Sequence, residues 1–106
     1  MTTIKIKCYL SEQHDNRRKY IIDVYDDISH ITHGYGYIVA EKYDDVWNIE
    51  LMHVIPQREG YGTILLKYSL DDMKKFTNKV VVNPITNEGR NFFKKNGFDE
   101  NWSLMI

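Results

Sequence analysis

Residues 54–66 read VIPQREGYGTILL and pack three changes of character into a short span. An apolar, β-prone run stops at Pro56, glycines follow at positions 60 and 62, and an apolar helical stripe begins at once. A helix that opens directly after a strand presents first-turn amides with no partner inside the helix, and its macrodipole favours negative charge there. Gly60 and Gly62 carry no Cβ, so a phosphate has room to approach that backbone. Neither a Gly-Lys-Ser/Thr Walker loop nor the third glycine of the dinucleotide fingerprint is present, so those two nucleotide patterns do not apply.

Working toward the C-terminus, Leu66, Leu70, Met73 and Phe76 recur at spacings of four, three and three, the pattern of a helix buried on one side. "KVVV" at 79–82 reads as a short apolar strand, central and parallel to the one before the helix. "TNEGRNFFKKN" at 86–96 reads as a second helix, with Thr86 or Asn87 as its N-cap and Gly97 as its stop. "WSLMI" closes the chain as a strand.

Working toward the N-terminus, "VWNIELMHV" at 46–54 is the strand that feeds the motif, joined through a tight turn at Asp44-Asp45 to "YGYIVAEKY" at 35–43. "YIIDVYD" at 20–26 and "TIKIKCYL" at 3–10 are two further strands, with the polar "SEQHDNRRK" between them as a turn. The expected class is therefore α+β with a mixed sheet: an antiparallel meander followed by a βαβ unit, in the order β-β-β-β-α-β-α-β.

The chain has 106 residues, which bounds it to one domain over 1–106. Fourteen Lys+Arg against fifteen Asp+Glu leave a formal charge of -1, so bulk charge does not point to nucleic acid as a partner. The lone Cys8 excludes an internal disulfide and a cysteine-based zinc site. "MTTIKIKCYL" alternates instead of forming a signal-peptide core, and no run approaches the ~20 apolar residues of a membrane span. The expected setting is a reducing cytoplasm, with no membrane partner.

The motif at 57–62, Gln57-x-x-Gly60-x-Gly62 on a strand-to-helix junction, resembles the (Gln/Arg)-x-x-Gly-x-(Gly/Ala) signature of the GNAT acetyltransferase superfamily. "NEGRNFFKKNGF" at 87–98 is similar to that family's late helix and following strand, and the resemblance covers about four-fifths of the chain. It implies a GNAT-like fold and acetyl-CoA as co-substrate. Gln57, Arg58, Glu59, Gly60, Tyr61, Gly62 and Thr63 would surround the pyrophosphate. Met52, His53 and Val54 would run beside the pantetheine arm, and Asn87, Phe92 and Phe93 would complete the coenzyme contacts. The implied reaction is direct attack of a primary amine on the thioester, in which the enzyme positions the reactants and a base removes the ammonium proton. Glu50 is the first choice of base, directly or through water, against the plain alternative of an exposed strand glutamate. Asn48 shares Glu50's face and is placed to order a water. In a regular strand His53 faces the other way, and it substitutes for Glu50 only across a bulge.

Three departures from the resemblance bear on activity. Phe93 stands where the family carries a tyrosine that protonates the leaving thiolate. The link from Val54 to Gln57 is about two residues shorter than the common form, and Asn87 sits one place nearer the phenylalanine pair, which leaves it as a helix cap. Finally, about nine polar residues replace the two helices that wall the usual substrate site. The resulting open site suits a lysine on a protein acceptor better than a small amine. Two readings from other classes stand beside this one: a CoA-binding or interaction module without turnover, and a small inhibitor that binds proteins through a sheet edge. Dimerisation fits so thin a fold, though no residue establishes it.

Other residues carry ordinary structural readings. His30 and His33 form a loop without a third ligand, Tyr35 and Tyr37 are sheet surface, and Trp47 and Trp102 are packing residues. "RRK" at 17–19 is a hairpin tip.

Overall fold

The computed structural model describes residues 3–106; Met1 and Thr2, part of the expected 1–106 domain, lie outside the described residues. It is an α+β structure in which six strands form one mixed sheet with two helices. The elements are β1 (Ile4–His14), β2 (Arg17–Asp26), β3 (Thr32–Tyr43), β4 (Val46–Ile55), α1 (Tyr61–Met73), β5 (Lys79–Val82), α2 (Asn87–Lys95) and β6 (Ser103–Met105). They lie in the sheet in chain order, all neighbours antiparallel except β4 and β5, which are parallel.

Alternation along the strands sorts the side chains between two faces. Tyr20, Ile22 and Val24 of β2 stand opposite Ile38, Gly36 and Gly34 of β3, and Trp47 and Ile49 of β4 stand opposite Val80 and Val82 of β5. The apolar members of that face join Leu65, Leu66 and Met73 of α1 and Phe93 of α2 in one buried cluster. Each large apolar side chain taken out of water contributes about 1.5–3 kcal/mol, so this face holds the fold together.

The polar stretch 11–19 is not a loop. Ser11–His14 extend β1, Arg17–Lys19 begin β2, and only Asp15 and Asn16 make the turn. Pairing of Glu12, Gln13 and His14 with Lys19, Arg18 and Arg17 carries the ladder to the hairpin end, which polar composition concealed. "RRK" accordingly is strand, and Arg18 points inward with only 5% of its surface exposed. Its Nη1 donates to Asp72 Oδ2 (3.3 Å), which also accepts from Tyr20 Oη (2.7 Å), so β2 grips the last turn of α1. The Arg18 guanidinium also lies 4.6 Å from the Phe76 ring centroid. Phe76 therefore packs from beyond the helix end rather than within the helical stripe, which runs through Leu65, Leu66, Ser69 and Met73.

Candidate functional site

The parallel pairing of β4 with β5 is brief. It covers Trp47, Asn48 and Ile49 against Val80, Val81 and Val82, and the next β4 residue toward its C-terminal end is Glu50. From there to Ile55 no β5 residue pairs with β4, so that edge of its backbone is open to a partner. A cleft of about 660 Å³ lies along it, between the end of β4, the 56–60 loop and the first turns of α1 and α2.

Met52, Val54, Phe92 and Phe93 give the cleft apolar walls, while Gln57, Arg58, Gly60, Gly62 and Thr63 bring the loop and helix start to it. Pro56, Thr86, Glu88, Gly89, Asn91 and Lys95 line it as well. The charges facing in are mixed, Arg58 and Lys95 against Glu88.

The two helix starts differ. In α2 the Thr86 hydroxyl accepts from the Gly89 N–H (3.0 Å) and Glu88 sits in the first turn, so that end is already capped and carries an acid. Thr86, not Asn87, is the cap; Asn87 Oδ1 accepts from Arg90 Nη1 (3.3 Å). In α1 the cap is Gly60, no side chain bonds to the first amides, and the first turn holds no acid. The first intrahelical bond runs from the Ile64 N–H to the Gly60 carbonyl (3.2 Å), which leaves the amides of Tyr61, Gly62 and Thr63 ahead of it. Such an end, with its positive dipole, attracts an anion.

The two glycines owe their places to different causes. Gly60 has φ 81° and open space where a Cβ would stand, so backbone conformation selects it. At Gly62 a Cβ would come within 3.2 Å of Phe92 Cε1, so the close approach of the Phe92 ring selects it. Arg58 also holds a positive φ, 68°, in the same loop. The Ile55–Pro56 peptide is cis. Tyr61 turns away from the cleft to cover Gly34.

The residues considered as bases lie elsewhere. Val39 pairs with Leu51 and Ala40 with Ile49, so Glu50 is the extra residue of a β-bulge. The bulge shifts the alternation, and His53 stands on the same outer face as Asn48, opposite Tyr37; in a regular strand it would face away from Glu50. His53 is exposed, 5.8 Å from the Tyr37 ring by centroids, and Asn48 is half-buried opposite Glu41. Glu50 is exposed and hydrogen-bonded to the Tyr43 hydroxyl. None of Asn48, Glu50 and His53 lines the cleft, nor do Glu59, Tyr61 and Asn87.

Phe93 is buried at 5% exposure, its ring edge-on to both Phe92 and Phe98. It works as a core residue that closes one wall. Among the described residues no three His, Cys, Asp or Glu side chains gather as metal ligands, and no helix is long and apolar enough to cross a membrane. Sequence reading missed the α2 contribution of Thr86, Gly89 and Asn91; the Thr-Asn-Glu-Gly start of that helix was the signal available. No protein-family model matches the chain, and no curated protein matches it.

Proposed function

We propose that this protein is an acetyl-CoA-dependent N-acetyltransferase of GNAT type, acting on a lysine amine of a protein acceptor. The observation that carries this reading is an uncapped helix start with no acid in its first turn, set at the end of a cleft whose walls include Met52, Val54, Phe92 and Phe93 and which runs along an unpaired strand edge. A pyrophosphate suits the amides of residues 61–63 with Arg58 beside them, and a pantetheine arm suits Met52, Val54 and Phe92 with β4 backbone to pair with. When bound, acetyl-CoA supplies the activated acetyl thioester. The chain's own part is orientation and proton handling. A lysine ammonium with an ordinary pKa of about 10.4 must lose a proton before its nitrogen can attack. Glu50, beside the start of the unpaired edge, accepts it from the outer side. The N–C bond then forms as the C–S bond breaks, the nitrogen's second proton passes to solvent, and the thiolate, with no hydroxyl donor at position 93, takes its proton from water.

The absence of helices between β1 and β2 favours a large acceptor over a small one. Ile4 and Ile6 stay 44% and 47% exposed on the core-side face of β1, where a macromolecule can rest.

Calorimetric titration of acetyl-CoA tests the reading, with Thr63→Glu as control. A carboxylate in the first turn suits the helix dipole yet repels a phosphate, so it separates binding from folding. Gly60→Glu is a poorer control because a side chain at φ 81° strains the backbone. Micromolar binding lost in Thr63→Glu at unchanged melting temperature is expected; absence of binding in the wild type overturns the reading. The burial of Phe93 and the position of Glu50 outside the cleft lining favour a second reading, a coenzyme-binding module without turnover. Binding without transfer to any lysine peptide would select it.

A further inference from the structure

On the outer face of the β3–β4 hairpin one phenol is shared by two carboxylates. Tyr43 Oη lies 2.6 Å from Glu41 Oε2 and 2.8 Å from Glu50 Oε1. Arg17 Nη1 of β2 holds the other oxygen of Glu41 at 2.8 Å, and its Nε lies 3.9 Å from Glu12 of β1. Asn48 of β4 stands opposite Glu41. Strand alternation puts Glu41 and Tyr43 on one face, and the bulge turns Glu50 out beside them.

A phenol has one proton to donate. With both carboxylates ionised it satisfies one, and its lone pairs then face the other. Both contacts are hydrogen bonds only when one carboxyl carries a proton and donates it to Tyr43 Oη, while the Tyr43 O–H donates to the second carboxylate. Glu41 is the member suited to stay ionised, because Arg17 remains on it. Hydrogen bonds from Tyr43 first and Arg17 second hold its carboxyl below the usual glutamate value.

Resting on the reading of Glu50 as the base, we propose that Tyr43 is a positioning residue that holds Glu50 through both halves of its proton cycle. Before transfer the Tyr43 O–H is available to the Glu50 carboxylate. As an acceptor ammonium gives up a proton, its N–H bond breaks and an O–H bond forms on Glu50. The new O–H donates to Tyr43 Oη, and the tyrosine's own proton turns to Glu41, whose charge Arg17 balances. No proton leaves Tyr43, and Glu50, being exposed, returns its proton to solvent. The bulged side chain thus keeps one orientation whether or not it carries the proton.

The test is steady-state transfer from acetyl-CoA to a lysine peptide, using the full chain. Tyr43→Phe should lower kcat about tenfold, the scale of one lost hydrogen bond, with KM for acetyl-CoA unchanged. In a Glu50→Gln background the same change should cost nothing further, since there is no proton cycle left to support. Full additivity of the two losses, or a Tyr43→Phe enzyme as fast as wild type, overturns the role of Tyr43 while leaving the acetyltransferase reading intact. A wild type without turnover removes that reading and, with it, the task assigned to Glu50. A second measurement needs no turnover. Glu41 first and Glu50 second push the Tyr43 phenol well above its ordinary value. Phenolate absorbance, taken as the difference from Tyr43→Phe, should therefore appear at lower pH in Glu50→Gln, and an unchanged titration overturns the shared bond.

Discussion

At the scale of single residues, Gly60 and Gly62 look alike in the chain and differ in space. Gly60→Ala should destabilise the protein by about 1–2 kcal/mol in urea titrations, because an L residue must then hold a left-handed conformation. Nothing occupies the volume its methyl would enter, so the cleft should keep its shape. Gly62→Ala sits within an ordinary helix, where alanine gains about 1 kcal/mol of propensity over glycine. Its methyl would press on Phe92, however, and calorimetry should show weakened binding of the proposed acetyl-CoA with little change in stability. The contrast was not legible in "EGYG", because backbone conformation and a neighbour thirty positions away set it. Asn87 and His53 teach the same lesson. The first yields the cap to Thr86, and a bulge that strand alternation alone does not reveal moves the second to the face of Asn48.

At the scale of elements, the join between β2 and α1 is polar and enclosed. Arg18 and Asp72 face one another with side-chain exposures of 6% and 19%, and Tyr20 completes the group. Asp72→Ala strands a buried guanidinium and should cost about 3 kcal/mol, whereas Arg18→Met removes the charge and fills the space between Trp47 and Phe76 at much smaller cost. Chemical denaturation of the two variants measures the difference; equal losses would mean that the charge is not what matters there. The apolar spacing marked α1 as a helix because it is local, but of the four stripe positions it pointed to only Leu66 and Met73 are buried; Leu70 is partly buried and Phe76 lies beyond the helix end. Arg18 read as a hairpin tip because the partner that turns it inward lies more than fifty positions away. The 11–19 stretch conceals its strands for a related reason: a two-residue turn needs no glycine when the residues on either side of it are paired, as Glu12–His14 are with Arg17–Lys19.

At the scale of the molecule, acid should unfold this protein through carboxylates held ionised by the fold. The Asp26 carboxylate accepts from the N–H groups of Ser29 and Ile28, in that order of effect, and its pKa is held below the ordinary 3.8. Glu41 is held below its own ordinary 4.5. A group with a depressed native pKa adds stability that is complete above the unfolded value and lost as pH falls through the folded one. Stability should thus be level near neutrality and decline below about pH 4. Asp26→Asn should flatten that acid limb, and urea midpoints at pH 7 and pH 3 check it. Neither carboxylate could be singled out beforehand, since each depends on how a turn or a neighbouring strand presents its donors.

Local chemistry settled what depends on near neighbours: a mixed α+β chain, the succession of strands and helices, and the strand-to-helix junction with its bare backbone. Those properties follow from periodicities of two and 3.6 and from turn residues, which act over a few positions. The tertiary structure alone decided which side of β4 each polar group occupies, where β5 stops and opens the cleft, and which helix start stays uncapped. It also set Glu50, Tyr43, Glu41 and Arg17 side by side from three strands. Register, bulges and close packing join residues far apart in the chain, and a one-residue slip in pairing reverses every face.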